Sequence, residues 1–238
     1  MSQFSRFQPR SQARAAAMPQ ENPFAGTGAA TGASVSYLQQ VYAFLAAGMF
    51  LAVVAGYVGM TSEVAYMMRG NILISLGALL GTMILVSWKP SAPTLFLMTG
   101  TWGFMGGPVI AMYVNAGASH IVGQAAFMTG AIFTAMTFYA MTTKRDFSFM
   151  GGMLMAGFVV ILVGGLLNFF IFESPAVTFA LSAVGALIMT GFLLYETQMI
   201  KQNPGIMHPA AAAASLFATI YNLFMMLLQL LGIMNSDD

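Results

Sequence analysis

Long apolar runs alternate with short polar breaks along most of the chain. Seven runs of 17 to 25 residues occupy positions 38–60, 72–88, 94–114, 121–142, 149–171, 176–200 and 210–234. A helix needs about 20 mainly apolar residues to cross the hydrocarbon core of a bilayer, so each run is long enough to span. Barrel strands would alternate apolar and polar residues, whereas these runs are continuously apolar. The pattern therefore predicts an all-α, polytopic membrane bundle of seven transmembrane helices.

Composition strengthens this prediction and removes several function classes. Of 238 residues, 58% are hydrophobic and 6% are charged, which leaves no room for a soluble domain. Eight Lys and Arg against seven Asp and Glu give a net charge of +1, which is too balanced for a basic nucleic-acid surface. The chain has no Cys, so disulfides, a thiolate nucleophile and Cys-ligated zinc are excluded. We expect the lipid bilayer as a partner, no nucleic acid and no cofactor.

The first 36 residues differ from the rest of the chain. They are rich in Ser, Gln, Ala, Gly and Pro, and the first acid is Glu21. This composition predicts a disordered polar tail at 1–36, followed by a seven-helix transmembrane domain at 37–238. The basic, acid-poor start also loosely matches an organelle transit peptide, an alternative that the sequence leaves open.

The basic residues predict how the bundle is oriented. With the N-terminus on the cytoplasmic side, that side carries seven of the eight Lys and Arg residues. These are Arg6, Arg10, Arg14, Lys89, Lys144, Arg145 and Lys201, whereas Arg69 lies on the other side. Cytoplasmic loops carry an excess of basic residues, so we expect a multi-pass protein of the inner (plasma) membrane with a cytoplasmic N-terminus. Seven spans then place the C-terminus outside.

One charged residue lies clearly within a span. Glu196 is in the sixth run, a little over one turn before its basic end. An ionisable group in the hydrocarbon costs about 2.5 to 3.5 kcal/mol on insertion scales, so its presence there suggests a function. The alternative is that Glu196 reaches the interface or pairs with a nearby base. The supporting charges that we predict around it are Lys89, Lys144, Arg145, Asp146 and Lys201.

The seventh run carries a polar face. Ser215, Thr219, Asn222 and Gln229 follow helical spacing, interrupted only by Met226. Such a face on a spanning helix either forms hydrogen bonds with neighbouring helices or lines a wet path. Both alternatives stay open at this point.

Small residues recur four apart in three runs, and Ala186 and Thr190 form the pair in the sixth run. Gly77 and Gly81 share a face of the second run, and Gly103 and Gly107 share a face of the third. Small residues at this spacing let membrane helices approach closely, so we expect these pairs to lie at helix contacts.

Catalysis has little support in the sequence. His120 and His208 lie in loops on opposite sides, so we do not expect them to share a metal ion. An intramembrane aspartyl protease needs two carboxylates in the membrane, and this chain offers one. Ser119 beside His120 has no nucleophile-elbow context. We therefore expect no enzyme, no catalytic residue and no tightly bound metal.

Three segments resemble a known family. They are TTKRDFSF at 142–149, LYETQMIK at 194–201 and LFATIYNLF at 216–224. These segments are similar to motifs of the Bax inhibitor one family, the transmembrane Bax inhibitor motif proteins, in its bacterial branch. The resemblance implies a bundle of six helices around a central seventh, and a pH-sensitive calcium leak gated by two carboxylates.

The resemblance also implies particular site residues. Glu196 matches the position of the first gate carboxylate, with Glu in place of Asp. Thr219 stands where the family has the second acid, and Asn222 matches the last residue of that motif. Two carboxylates that share a proton titrate as a coupled pair, whereas a single one cannot. We therefore expect any pH gate here to titrate as a single site, and calcium to pass through weak transit contacts.

Two functions from different classes follow. The first is an integral membrane leak channel or transporter for calcium or another cation, with Glu196, Thr219 and Asn222 in its path. The alternative is a membrane interaction protein that modulates a membrane-bound protease or a stress response, with the tail at 1–36 as its cytoplasmic handle.

Overall fold

The structure, a computed structural model, describes the backbone of residues 25–235 and the side chains of residues 35–235. All regular secondary structure in this part of the chain is helical. The helices are α1 (Ala25–Gly59), α2 (Glu63–Gly70), α3 (Ile72–Trp88), α4 (Ala92–Asn115), α5 (Ser119–Thr142), α6 (Met150–Leu167), α7 (Pro175–Gln202) and α8 (Pro209–Met234), with a π-helical turn at Asn168–Phe172 that continues α6. The predicted all-α class is confirmed.

Six helices are each long and apolar enough to cross a membrane alone, and α2 and α3 together supply a seventh span. The axes of α2 and α3 differ by 100°. Asn71 causes the break, because its backbone is extended while its side chain accepts the N–H groups of Leu73 and Ile74 at 3.1 and 3.2 Å. This capping ends one helix and starts the next. The result is a polytopic membrane bundle, as the run lengths predict.

The predicted tail at 1–36 lies largely outside the described residues. Its last part is described by backbone alone up to position 34, as the start of α1. The tail therefore stays a prediction.

Helix α8 is the centre of the bundle. It contacts α1, α3, α4, α5 and α7. Its first turns are built from Ala210, Ala212, Ala213 and Ala214, all buried, because small side chains let the neighbouring helices come close. Helix α6, by contrast, packs on α7, and its backbone does not approach that of α8 closely. The seventh span is thus central, and the fifth lies at the edge.

Helices α1 and α4 touch backbone to backbone through glycine. A Cβ added to Gly107 would lie 2.5 Å from the carbonyl oxygen of Gly56, and one added to Gly103 would meet the backbone of Ala52. The predicted contact in the third run is confirmed. For Gly77 and Gly81 the prediction is wrong, since an added Cβ would meet nothing within 4 Å.

The two ends of the bundle differ in charge. Lys201 contacts the end of α5, and the Tyr37 hydroxyl donates to the Met207 carbonyl oxygen at 3.1 Å, so the α5–α6 and α7–α8 loops share one end. We call this the basic end, because its described bases are Lys89, Lys144, Arg145 and Lys201. Arg69 lies at the opposite end. Which end faces the cytoplasm stays a prediction.

Candidate functional site

Glu196 lies between α7 and α8, where its carboxylate accepts two hydrogen bonds. The Ser215 hydroxyl donates to Oε1, and the Thr219 hydroxyl donates to Oε2 at 2.9 Å. Ser215 and Thr219 are four residues apart on α8, so both face the same neighbour. The structure thus brings Glu196 and Thr219 together, as the motif positions imply. Their role in an ion path stays a prediction.

Asn222 is not part of this cluster. Its amide donates to the carbonyl oxygen of Ala218 at 2.9 Å, within its own helix. Asn222 lies one turn below Thr219, and no hydrogen bond joins it to Glu196 among those that the described residues form. Of the three predicted site residues, Glu196 and Thr219 are therefore in contact, whereas Asn222 lies further along α8.

The polar face of α8 is directed at α7 over much of its length. The Ser182 hydroxyl donates to Oε1 of Gln229 at 3.0 Å, at the far end of the same interface from Glu196. Between them, Met226 packs into the space that the missing side chain of Gly185 leaves. These contacts support the interhelical alternative for the polar face, because its side chains hold α7 against α8.

The nearby base on α7 bonds elsewhere. The Lys201 ammonium donates to the carbonyl oxygens of Ala140, Met141 and Thr143 at 3.1, 2.7 and 3.4 Å. It therefore satisfies the last carbonyls of α5 and does not pair with Glu196. Lys89 is exposed and lies over the ring of Trp88 at 5.5 Å from its centroid.

The remaining predicted charges lie in the α5–α6 loop, residues 143–149. This loop is held by Gln198, whose Oε1 accepts the Phe147 N–H at 2.7 Å and whose amide donates to the Arg145 carbonyl oxygen. Asp146 accepts the Ser148 N–H at 2.8 Å and so closes a local turn. Lys144 and Arg145 are exposed, and the loop backbone that carries them is held by Gln198.

Gln198 was missed by the sequence reasoning. It is 3% exposed, so almost the whole amide is removed from solvent and lipid. The signal for it in the sequence is a polar residue within a spanning helix, two positions after Glu196. Gln198 joins the sixth span to the charged loop at two backbone positions, and Lys201 adds a bond to the Thr143 carbonyl oxygen.

The site offers little to a resident metal ion. Within residues 35–235, no three His, Cys, Asp or Glu side chains lie close enough together to hold one. His208 accepts the Ala210 N–H at 3.1 Å and caps α8 at the basic end, whereas His120 begins α5 at the opposite end. Calcium takes six to eight oxygen ligands, and Glu196 supplies one carboxylate whose two oxygens already accept hydroxyl hydrogen bonds. The geometry fits transient contact with a cation better than retention.

Comparisons with known proteins agree with this architecture. The model of the family described as inhibitor of apoptosis-promoting Bax1 matches residues 34–236. A modulator of FtsH protease, YccA of Escherichia coli, is 36% identical over 180 residues, which cover 74% of this chain and 81% of the relative. An uncharacterized protein of Pseudomonas aeruginosa is 33% identical over 208 residues, covering 84% of this chain and 90% of that protein. A Golgi anti-apoptotic protein of vaccinia virus is 38% identical over 117 residues, 49% of each chain.

Proposed function

Since the chain belongs to the inhibitor of apoptosis-promoting Bax1 family, we propose that it is an integral membrane protein that modulates a membrane-bound protease by binding it. The observation that carries this proposal is the likeness to the Escherichia coli relative, whose name describes it as a modulator of the FtsH protease. The likeness extends over most of both chains, so it includes the bundle itself. The proposal assigns no catalytic step to this chain.

The α5–α6 loop at the basic end supports the proposal. Gln198 fixes the α5–α6 loop, and this loop presents Lys144 and Arg145 to solvent. Basic loops face the cytoplasm in membrane proteins, so we expect this surface and the predicted tail at 1–36 to lie on the same side. A rigid loop loses little conformational entropy when a partner binds, which favours it as a contact surface.

The test is capture of the protease from native membranes. The full chain, a chain lacking residues 2–24, a Lys144→Glu/Arg145→Glu double variant and a Lys89→Glu control are expressed at equal levels. We expect the full chain to retain the host's membrane-bound protease and to change the half-life of its membrane substrates. Loss of the tail or reversal of the loop charges should weaken both effects, while Lys89→Glu should not. The proposal is wrong when the full chain neither retains the protease nor changes substrate half-life.

A second function is favoured by the contact between Glu196 and α8. A carboxylate in a spanning helix with hydroxyl partners from the central helix is an arrangement suited to attract a cation. We propose that calcium or another cation passes transiently between α7 and α8 at this point. With one carboxylate in the path, any pH dependence of the flux should follow a single-site titration.

Calcium flux into proteoliposomes across a pH series tests the second function. The unmodified chain is compared with Glu196→Gln, which keeps the shape of the side chain, and with Glu63→Gln as an exposed-acid control. We expect pH-dependent flux from the unmodified chain and from the control, and pH-independent flux from Glu196→Gln. Folded protein that gives no flux above empty liposomes at any pH would remove this function. Removal of residues 2–24 separates the two functions, since a leak keeps its flux without a tail.

A further inference from the structure

Two adjoining cavities open between α6, α7 and α8 at the opposite end from the basic loops. The outer cavity has a volume of about 660 Å³ and the inner one of about 240 Å³. Asn168, Phe169 and Thr178 line both, so the two form one groove. The groove exists because α6 packs on α7 and stands away from α8. We call it the α6–α8 groove. Because the backbones of α6 and α8 do not approach each other closely, we infer that it opens sideways toward the hydrocarbon.

The mouth of the groove is built on an unusual backbone. The π-helical turn Asn168–Phe172 is followed by Glu173, whose φ of 46° is left-handed. Among the described residues, Glu173 is the one non-glycine residue with a positive φ. L side chains rarely adopt this conformation, and a strained residue of this kind is often found at a functional site. Turns of π-helix are enriched at such sites as well.

Asn168 holds this backbone in place. It is 8% exposed; its Oδ1 accepts the Ser174 N–H at 3.1 Å, and its amide donates to the Thr178 hydroxyl at 2.8 Å. The Glu173 N–H donates to the Asn168 carbonyl oxygen at 2.7 Å. These bonds fix the turn from both sides, so Glu173 is kept at the mouth by a buried amide.

The chemistry of the mouth favours a cation. Glu173 is the one charged residue that lines either cavity. Phe169 and Phe170 lie beside it, with ring centroids 5.0 Å apart. A carboxylate attracts an ammonium group, and an aromatic ring adds attraction through its electron-rich face.

The inner part of the groove favours an apolar chain. Its walls include Ile161, Leu181 and Met226, and the absence of a side chain at Gly165 widens it. Ser182 and Gln229, which also line it, are hydrogen-bonded to each other. The eight residues of α7 from Pro175 to Ser182 give the groove a length of about 10 Å at a rise of 1.5 Å per residue.

We propose that the α6–α8 groove binds a phospholipid whose headgroup carries a primary ammonium, with the ammonium at Glu173 and an acyl chain in the inner cavity. The lateral opening toward the hydrocarbon and the apolar inner wall favour a lipid over a soluble amine. Neither the protease-modulating function nor the cation leak is needed for this site.

Native mass spectrometry of the full chain tests the headgroup. The protein is extracted from vesicles that contain equal amounts of phosphatidylethanolamine and phosphatidylglycerol, and the ratio of retained lipids is measured. An exposed carboxylate–ammonium pair of ordinary strength shifts such a ratio by about two- to fivefold. We expect the unmodified chain to favour phosphatidylethanolamine by that factor and Glu173→Gln to retain both lipids equally. Glu63→Gln removes an exposed acid at the same end, outside the groove, and should leave the ratio unchanged.

A second pair of variants tests the inner cavity. A Cβ added to Gly165 meets no atom within 4 Å, so Gly165→Leu places its side chain in the open space of the inner cavity. Gly152 on the same helix is equally free of neighbours and lies outside the groove, which makes Gly152→Leu the matched control. We expect Gly165→Leu to lose most of the retained lipid of both kinds, and Gly152→Leu to retain it. The proposal is overturned by equal retention of the two lipids in the unmodified chain, by an unchanged ratio in Glu173→Gln, or by equal lipid in the two glycine variants.

Discussion

Gln198→Leu should release the α5–α6 loop while leaving the bundle intact. The Gln198 side chain makes two hydrogen bonds to the loop backbone, to the N–H of Phe147 and to the carbonyl oxygen of Arg145. Leucine has a similar volume and keeps the packing, but it can form neither bond. The loop ends should therefore separate from α7 more often, because the free energy of local opening falls.

The size of the effect follows from the bonds that are lost. A hydrogen bond contributes about 0.5 to 1.5 kcal/mol net, so the two together stabilise the closed loop by about 1 to 3 kcal/mol. Water reaches the loop readily, since Lys144 and Asp146 are exposed, and it replaces part of what is lost. We therefore expect a change of about 1.4 kcal/mol, which is a tenfold rise in the open population.

Limited proteolysis measures that population. Trypsin cleaves after Lys144 and Arg145 only when the loop is open, and the initial rate follows the open population when closing is fast relative to cleavage. In detergent, fragments cut at these positions should appear about tenfold faster from Gln198→Leu than from the unmodified chain. Gln202→Leu, one turn later and exposed, should cleave at the unmodified rate. Equal rates for the two Leu variants, with unchanged thermal midpoints, would refute the argument that Gln198 holds the loop.

Other substitutions address the packing and the turns. Gly107→Ala should destabilise the fold by about 1 to 2 kcal/mol in thermal or detergent unfolding, because overpacking costs about 1 to 3 kcal/mol and the gain in helix propensity is at most about 1. Gly77→Ala, whose Cβ meets no atom within 4 Å, should stabilise the fold by up to about 1 kcal/mol. If Gly77→Ala and Gly107→Ala changed the free energy of unfolding in the same direction, the close contact between α1 and α4 would be contradicted. Asn168→Leu should speed hydrogen exchange at the Ser174 amide by tenfold or more, because that amide loses its acceptor. Unchanged exchange would show that the turn is stable without the Asn168 side chain. Ser182→Ala should cost about 0.6 kcal/mol in the same unfolding assay, the average for hydrogen bonds between membrane helices; a loss above 2 kcal/mol would mean that more than one bond is involved.

The spans could be predicted from the sequence because bilayer thickness fixes how long an apolar run must be. The eight residues of α2 could not, since Glu63–Gly70 is too short and too polar to register as a span. Asn71 ends this short helix and caps the next one, and the chain turns by 100° between them. The break in the hydrophobic pattern was visible, but its conformation depends on how the chain packs against α4.

Which face of a helix meets a neighbour was harder to predict than the helix itself. Gly77–Gly81 and Gly103–Gly107 have the same spacing, yet only the second pair lies at a close contact. On α8 the spacing correctly groups Ser215 with Thr219, because residues four apart share a face. The same spacing places Asn222 on that face, yet its amide bonds to the backbone of α8, because the rotation of the helix within the bundle decides which of these side chains meets α7.

The end of α7 joins the two proposed functions physically. Within six residues, Glu196 bonds to α8, Gln198 to the α5–α6 loop and Lys201 to the end of α5. Glu196 and Gln198 lie on the same two turns of α7. If this end of the helix moves as one body, the contact of Glu196 with α8 cannot break without shifting the contact of Gln198 with the loop. A cation path that opened between α7 and α8 at Glu196 would therefore loosen the loop that presents Lys144 and Arg145. Loop proteolysis would register such an opening even where no protease partner is present.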